Sequence, residues 1–150
     1  MIVKPKPISY RHRPLYVINL SNHRLSQHVM SSITDLAKGK KVVTFNAIAS
    51  FNCDQELEPQ IEEILLTLGH TKISGHSPFD LQGEIYLFLP GLTAGGVLLF
   101  QAIEQIIGVA PKICLIGKER NGSITLRQVI DCSAQKRTAH KNFRKELVLK

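Results

Sequence analysis

A glycine-rich turn between two apolar segments holds the residues of this sequence that are best suited to binding chemistry. Residues 85–89 (IYLFL) predict a buried strand, and residues 90–96 (PGLTAGG) lead directly into a long apolar helix. Unpaired N–H groups and the positive end of the helix dipole would point into such a turn, and small residues let an anion come close. The turn therefore predicts a phosphate site, with an ordinary strand-to-helix connection as the alternative. It matches neither GxGxxG nor GxxxxGK[ST], so the dinucleotide and ATP fingerprints are absent.

Polar residues after the first two predicted strands are the other candidates for ligand contacts. Residues 21–24 (SNHR) follow the first strand, and the segment that starts at Asn46 follows the second. Serine and asparagine can hold phosphate or ribose oxygens, and the neighbouring histidine and arginine can steady negative charge. Alternatively, the serine or asparagine only caps a helix. The predicted ligand-binding residues are Ser21, Asn22, His23, Arg24, Asn46, Pro90, Gly91, Leu92, Thr93, Ala94, Gly95 and Gly96.

Residues suited to catalysis form no recognisable constellation in the sequence. The three cysteines, Cys53, Cys114 and Cys132, are far apart and include no CxxC pair, which argues against a zinc module and a disulfide framework. We interpret all three as structural. No carboxylate cluster predicts a divalent metal, so any phosphodiester chemistry would be independent of metal. The sequence therefore predicts neither a cofactor nor a metal, and it leaves the catalytic residues, if there are any, unknown.

The elements that must position these residues follow the order β-α-β-α-β-α-β-β. Strands that alternate with helices predict an α/β fold, with a mostly parallel sheet that has helices on both faces. The Asn121–Gly122 pair between two β-type runs predicts an antiparallel edge hairpin near the C-terminus. We expect the first helix to begin at Ser21 or Asn22 and a basic helix to cover residues 133–144. The chain is then one Rossmann-like domain, residues 15–144, between an extended basic arm (1–14) and a basic tail (145–150).

The net charge of +7 comes from the two ends of the chain. Residues 1–24 hold five bases and no acid, residues 136–150 hold six bases and one acid, and the middle holds eight bases and eleven acids. Basic ends favour a polyanionic partner, such as nucleic acid or a multiply phosphorylated ligand, although solvated tails are an equal alternative. No apolar run is long enough to span a membrane and residues 1–4 open no signal peptide, so we expect a cytoplasmic protein.

The helix predicted over residues 97–107 (VLLFQAIEQII) is apolar on almost every side. Only Gln101, Glu104 and Gln105 are polar, and they share one narrow stripe. A helix that covers one face of a sheet needs an apolar face of only about 100°. The excess predicts that a second surface, such as a second copy of the chain, covers the rest, with burial inside the same chain as the alternative.

The run LPGLTAGGVLLFQAIEQIIGVAPKICLI, with the later strand LRQVIDC and the segment AQKRTAHKNFR, resembles the small Csx-type accessory proteins of type III CRISPR loci. The opening strand and its INLSNHR segment fit the same group. The resemblance implies a CARF-like, Rossmann-like domain that forms a homodimer and binds cyclic oligoadenylate, with cyclic tetra-adenylate as the expected ring. The basic arm and the basic tail have no counterpart in this resemblance.

Three functions are consistent with these expectations. The favoured one is a sponge that sequesters cyclic oligoadenylate and damps antiviral signalling, because no general acid or base is clearly placed. The second is a metal-independent ring nuclease, in which the 2′-hydroxyl of the ligand attacks after positioning alone. The third and least favoured is a basic scaffold protein that binds RNA or DNA directly.

Overall fold

The apolar runs of the sequence form one five-stranded sheet in the computed structural model, which describes residues 13–47, 49–80 and 82–148. The strands are β1 (Leu15–Asn19), β2 (Val42–Asn46), β3 (Glu84–Phe88), β4 (Lys112–Lys118) and β5 (Ile124–Asp131). Their order is β2-β1-β3-β4-β5. The first four strands are parallel and β5 is antiparallel to β4. The predicted Rossmann-like α/β fold with an antiparallel edge hairpin is confirmed. The predicted arm lies outside the described residues except for its last two positions.

Four helices lie in the described part of the chain, and the first three cover the two faces of this sheet, as the alternation of elements predicts. They are α1 (Gln27–Ala37), α2 (Leu57–His70), α3 (Thr93–Ile107) and α4 (Cys132–Val148). Helix α1 packs with one set of β1 side chains, including Val17, whereas α2 and α3 pack with the alternate set, including Ile18. Because side chains alternate along a strand, β1 serves two separate cores, and all five of its residues are buried.

The first helix begins later than the sequence predicts. Its N-cap is Ser26, whose Oγ accepts a hydrogen bond from the N–H of Val29 at 3.2 Å, so the expected start at Ser21 or Asn22 is wrong. The Ser26 hydroxyl also donates to the carbonyl of Ile124 in β5, at 3.1 Å. A contact with a distant strand therefore selects one cap residue from several suitable ones in this segment.

Two other boundaries differ from the prediction. Helix α3 begins at Thr93, so the last four residues of the predicted turn form its first helical turn. Helix α4 continues to Val148 and includes most of the segment predicted as a tail. By contrast, the hairpin turn is where Asn121–Gly122 predicts it, with Gly122 at φ 86° and the Asn121 side chain accepting from the N–H of Ser123.

A buried phenol fastens the loop between α2 and β3 to the central strand. The Tyr16 Oη donates to the carboxylate of Asp80 at 2.8 Å and lies 2.9 Å from Nδ1 of His76. The phenol has one proton, and it goes to the carboxylate, so the imidazole must donate from Nδ1. Burial first, and then the hydrogen bond to Asp80, raises the pKa of the Tyr16 phenol above its usual value.

Replacing Tyr16 by phenylalanine should lower the free energy of unfolding by about 1–3 kcal/mol, because two polar groups in a partly buried site lose a partner. Urea unfolding at neutral pH measures the loss. Thr34→Ala is the comparison, since its hydroxyl bond to the Met30 carbonyl lies on an exposed helix face. That variant should change stability by less than about 0.5 kcal/mol.

The same substitution should change how stability depends on alkaline pH. The folded phenol keeps its proton at a pH where the unfolded one, with its ordinary pKa of 10.0, releases it. The stabilisation is therefore complete below pH 10 and falls as the pH rises further. The difference in unfolding free energy between the wild type and Tyr16→Phe should shrink above pH 10. A difference that stays constant into strong alkali would contradict a protonated, buried phenol.

Candidate functional site

The carboxyl ends of β1 and β3 are adjacent at the position where open α/β sheets bind ligands, and we call the space between the segments that follow them the crevice. These two strands are neighbours, but the chain leaves β1 towards α1 on one face and leaves β3 towards α3 on the other. The segment after β1, the turn after β3 and Asn46 at the end of β2 all lie at this edge, because β1 stands between the other two strands. The structure thus brings the predicted site residues to one edge, and their contact with a ligand stays a prediction.

Asn19 organises this edge, and the sequence analysis missed it. It is the last residue of β1 and is only 3% exposed. Its Oδ1 accepts from both the N–H and the hydroxyl of Ser21, at 3.1 and 2.6 Å. Its Nδ2 donates to the carbonyl of His23 at 2.9 Å and to Oδ1 of Asn46 at 3.2 Å. One buried amide therefore holds the loop after β1 and ties it to the end of β2.

Of the residues predicted at the ends of β1 and β2, two are held by the Asn19 amide and three are exposed. Ser21 and Asn46 are bonded to the Asn19 amide, so their side chains support the edge of the sheet. Asn22, His23 and Arg24 are exposed, and they keep their side chains at the surface of the crevice. The structure therefore gives the first two residues a positioning role, and it leaves the other three accessible to a ligand.

The N-terminus of α3 presents backbone donors to the same crevice. Its N-cap residue is Leu92, whose side chain makes no capping hydrogen bond. The first bond within the helix is from the N–H of Gly96 to the carbonyl of Leu92, at 2.9 Å. The amides before Gly96 precede that bond and have no partner inside the helix. Thr93 and Ala94 are exposed, so the start of this helix is open to solvent.

Burial of the last two glycines of the turn gives Gly95 a packing role, and their contact with a ligand stays a prediction. Gly95 and Gly96 are buried. A Cβ on Gly95 would lie 2.5 Å from the ring of Phe51, so the missing side chain makes room for an aromatic ring from the loop after β2. Gly91, in contrast, is exposed, and a Cβ there would meet no atom within 4 Å. Open approach for a ligand therefore exists at Gly91 rather than at Gly95.

A groove of about 1030 Å³ runs along the outer side of α3, and we call it the α3 groove. One end is at the turn after β3 and the other is where α4 begins. Apolar side chains line most of it, while Glu58 and Glu62 of α2 stand on one side and Glu104 and Lys136 at the far end. The apolar lining is formed chiefly by Ile61, Leu65, Val97, Leu98, Phe100 and Ala102.

Other reactive groups in the described part of the chain offer little to this site. Burial raises the pKa of the Cys114 thiol to about 12, so this cysteine stays protonated and unreactive at neutral pH. The three cysteines are free, and Cys53 is the exposed one. Among residues 13–47, 49–80 and 82–148, no three His, Cys, Asp or Glu side chains lie close enough together to hold a metal ion. No helix in these ranges is both long and apolar enough to cross a membrane.

Comparison with known proteins gives no match: no family model fits the chain, and neither a curated protein nor a solved structure matches it. A functional assignment therefore depends on the residues and the geometry of the crevice.

Replacing Asn19 by alanine should loosen the loop after β1, because four hydrogen-bonding groups lose their shared partner. The expected loss is about 2–4 kcal/mol of unfolding free energy, with faster hydrogen exchange at the Ser21 N–H. Asn19→Asp should be similarly damaging, since a carboxylate would face the His23 carbonyl and the Asn46 Oδ1. Ser123→Ala is the control, because its hydroxyl bonds only an exposed turn residue. Unchanged exchange at Ser21 in Asn19→Ala would show that the loop holds its shape without the amide.

Proposed function

We propose that the protein binds a cyclic oligoadenylate, with cyclic tetra-adenylate as the expected ring, between two copies of the chain. The bound messenger is sequestered, and type III CRISPR signalling is thereby damped. The Csx-type resemblance of residues 15–144 supplies the identity of the ligand. The geometry of the crevice supplies the reason for an anionic ligand.

The observation that carries this proposal is the uncapped N-terminus of α3 at the crevice between β1 and β3. A helix of 15 residues directs a full dipole at this point, and no side chain of the N-cap residue occupies its first amides. Exposed Gly91 and Thr93 leave room for a phosphate oxygen to reach the backbone. A helix start that lacks a side-chain cap at this edge favours an external anion as its partner.

Residues on the opposite side of the crevice complete the proposed contacts. The Asn19 amide holds the backbone of Ser21 and His23, so the exposed Asn22 and His23 side chains start from a fixed backbone. An amide and an imidazole can hydrogen-bond a ribose hydroxyl or an adenine edge. The guanidinium of Arg24 adds positive charge for the phosphates.

A ring of four nucleotides can have two-fold symmetry, which matches two identical turns related by a two-fold axis. One ring would then bind per two chains, and each chain would offer one α3 N-terminus. The exposed apolar side chain of Val97 on α3, 50% exposed, supports a second copy as the neighbour of this helix.

Sequestration is favoured over cleavage because of what surrounds the proposed phosphate position. The Ser21 hydroxyl is bonded to Asn19 and to the carbonyl of His23, so it is a poor candidate for a general base. His23 is the imidazole in the segment after β1. A ring nuclease that uses this residue to activate a 2′-hydroxyl is the second candidate, and the formation of linear products distinguishes it from a sponge.

We expect titration calorimetry with cyclic tetra-adenylate to show binding of one ring per two chains, and we expect chromatography of the mixture to show no linear product. Affinity should fall as salt concentration rises, because several phosphates are engaged. Linear products would establish the ring nuclease. Binding of a single-stranded RNA but of no cyclic ligand would favour the scaffold function and overturn the proposal.

The turn is tested by a charge placed at Gly91. Gly91→Asp puts a carboxylate beside the first amides of α3, where it should repel phosphate and compete for the same donors. Affinity should fall by a factor of about a hundred or more, while stability stays constant or rises slightly through the helix dipole. Gly91→Asn is the matched control, because it has the same size without the charge, and it should bind within about fivefold of the wild type.

A second variant at the turn removes a side chain. Thr93→Ala should lower the affinity by roughly ten- to a hundredfold, the worth of one hydrogen bond to a charged group. Gly95→Val is a poorer test, since it would displace the Phe51 ring and so disturb the fold. If Gly91→Asp binds cyclic tetra-adenylate as well as Gly91→Asn does, the turn after β3 is only a connection.

A further inference from the structure

The middle of helix α4 is exposed rather than packed against the domain. It has 17 residues, and its N-terminus is capped by Asp131, whose Oδ1 accepts from the N–H of Ala134 at 3.1 Å. Residues 135–142 are all exposed. Most helices in proteins are stabilised by packing one face against a neighbour rather than by helix propensity alone. A second surface that packs against α4 would therefore stabilise its helical conformation.

The basic side chains among residues 135–142 lie on one side of α4. Lys136, Arg137, His140 and Lys141 are spaced at i, i+1, i+4 and i+5, which places them on adjacent stripes of the helix. Lys136 pairs with Glu104 at the end of the α3 groove, so the basic side of α4 begins next to that groove. Lys136 is the one residue of α4 among the described residues that line the groove of its own chain.

The α3 groove has an acidic side that is complementary in charge to the basic side of α4. Its lining is largely apolar, and Glu58 and Glu62, one helical turn apart, stand on its α2 side. No ion pair in the described part of the chain involves either of these two carboxylates. Val97 is half exposed within the groove. The acidic side of this groove is complementary in charge to a helix that carries bases along one side.

We infer that the α3 groove is the docking site for α4 of a second copy of this chain, and that the exchange is reciprocal. Each copy offers one groove and one helix, so a two-fold axis closes the assembly at two chains. The lengths agree, because the 17 residues of α4 span about 25 Å and the 15 residues of α3 span about 22 Å. Arg137 and Lys141 of α4 meet Glu58 and Glu62 of the other copy, while Lys136 keeps its pair with Glu104 of its own chain.

This arrangement also brings positive charge to the crevice. The groove continues from Glu104 to Gly91 and Thr93 at the turn after β3. A basic helix that fills it therefore ends beside the proposed phosphate position, and each site is completed by the other chain. The inference rests on the proposed function for this last role, but its test uses protein without ligand, so the two proposals can fail separately.

The first test compares two substitutions on the same helix. Val97 lines the groove whereas Ile106 does not, and both are about half exposed. Light scattering of the ligand-free wild type at micromolar concentration should give twice the 16.8 kDa of one chain. Val97→Lys should raise the dissociation constant of the dimer by at least about thirtyfold, because it places a charge among apolar groups and repels the bases of α4. Ile106→Lys should leave the mass of a dimer, and circular dichroism should show both variants folded.

The second test reverses charges across the proposed contact. Glu62→Lys should weaken the dimer by about tenfold, whereas Glu63→Lys, the neighbouring residue outside the groove, should not. Arg137→Glu with Lys141→Glu should weaken it similarly. Combining that pair with Glu58→Lys and Glu62→Lys should restore at least part of the lost affinity, because the charges again attract across the interface.

Several outcomes would overturn the inference. A wild type with the mass of one chain would do so, and so would equal effects of Val97→Lys and Ile106→Lys. Failure of the combined charge reversal to regain any affinity would exclude the pairing of α4 with α2. If the α4 reversal instead abolishes binding of a single-stranded RNA while the dimer keeps its mass, the helix serves a polyanion and the groove has another occupant.

Discussion

The enclosure of β1 is the constraint on which the rest of the structure depends. This strand is buried on both faces and hydrogen-bonded to a parallel neighbour on both edges. A shift of register by one residue would exchange its two sets of side chains between the two cores, so the position of the strand is strongly fixed. Its carboxyl end is consequently a fixed point of the fold. The polar residue at that point, Asn19, is hydrogen-bonded to the loop that follows. The fixed position of the strand therefore also fixes the path of this loop.

The sequence predicted the architecture because each element has a strong local signal. Apolar β-type runs marked the strands, Asn121–Gly122 marked the hairpin, and the regular spacing of apolar residues marked the helices. These signals depend on neighbours within a few positions and on periods that differ between strands and helices. The order of the elements then restricts the sheet to a mostly parallel one. The edge that carries the candidate site followed from that order alone.

The details of the site were harder to predict because distant residues decide them. Ser21, Asn22 and Ser26 are all suitable caps, and the choice of Ser26 depends on a hydroxyl bond to Ile124, 98 positions away. Asn19 looks like the ordinary end of a strand until the Asn46 side chain is placed beside it. Tyr16 finds its partners 60 and 64 residues along the chain. None of these contacts produces a recognisable pattern among residues that are neighbours in the sequence. They could therefore not be predicted from a single sequence.

Because Phe51 and Gly95 are in contact, the residue at either position restricts which residues fit at the other. The ring occupies the volume in which any side chain at position 95 would have to stand. A chain with a small residue at position 51 would gain room for alanine or serine at 95, whereas a chain that keeps the aromatic ring must keep glycine. The loop after β2 is thereby coupled to the first turn of α3, although no hydrogen bond between them is needed. Variation in either segment among sequences of this type should follow variation in the other, so the steric fit of one ring sets which loops the crevice can accept.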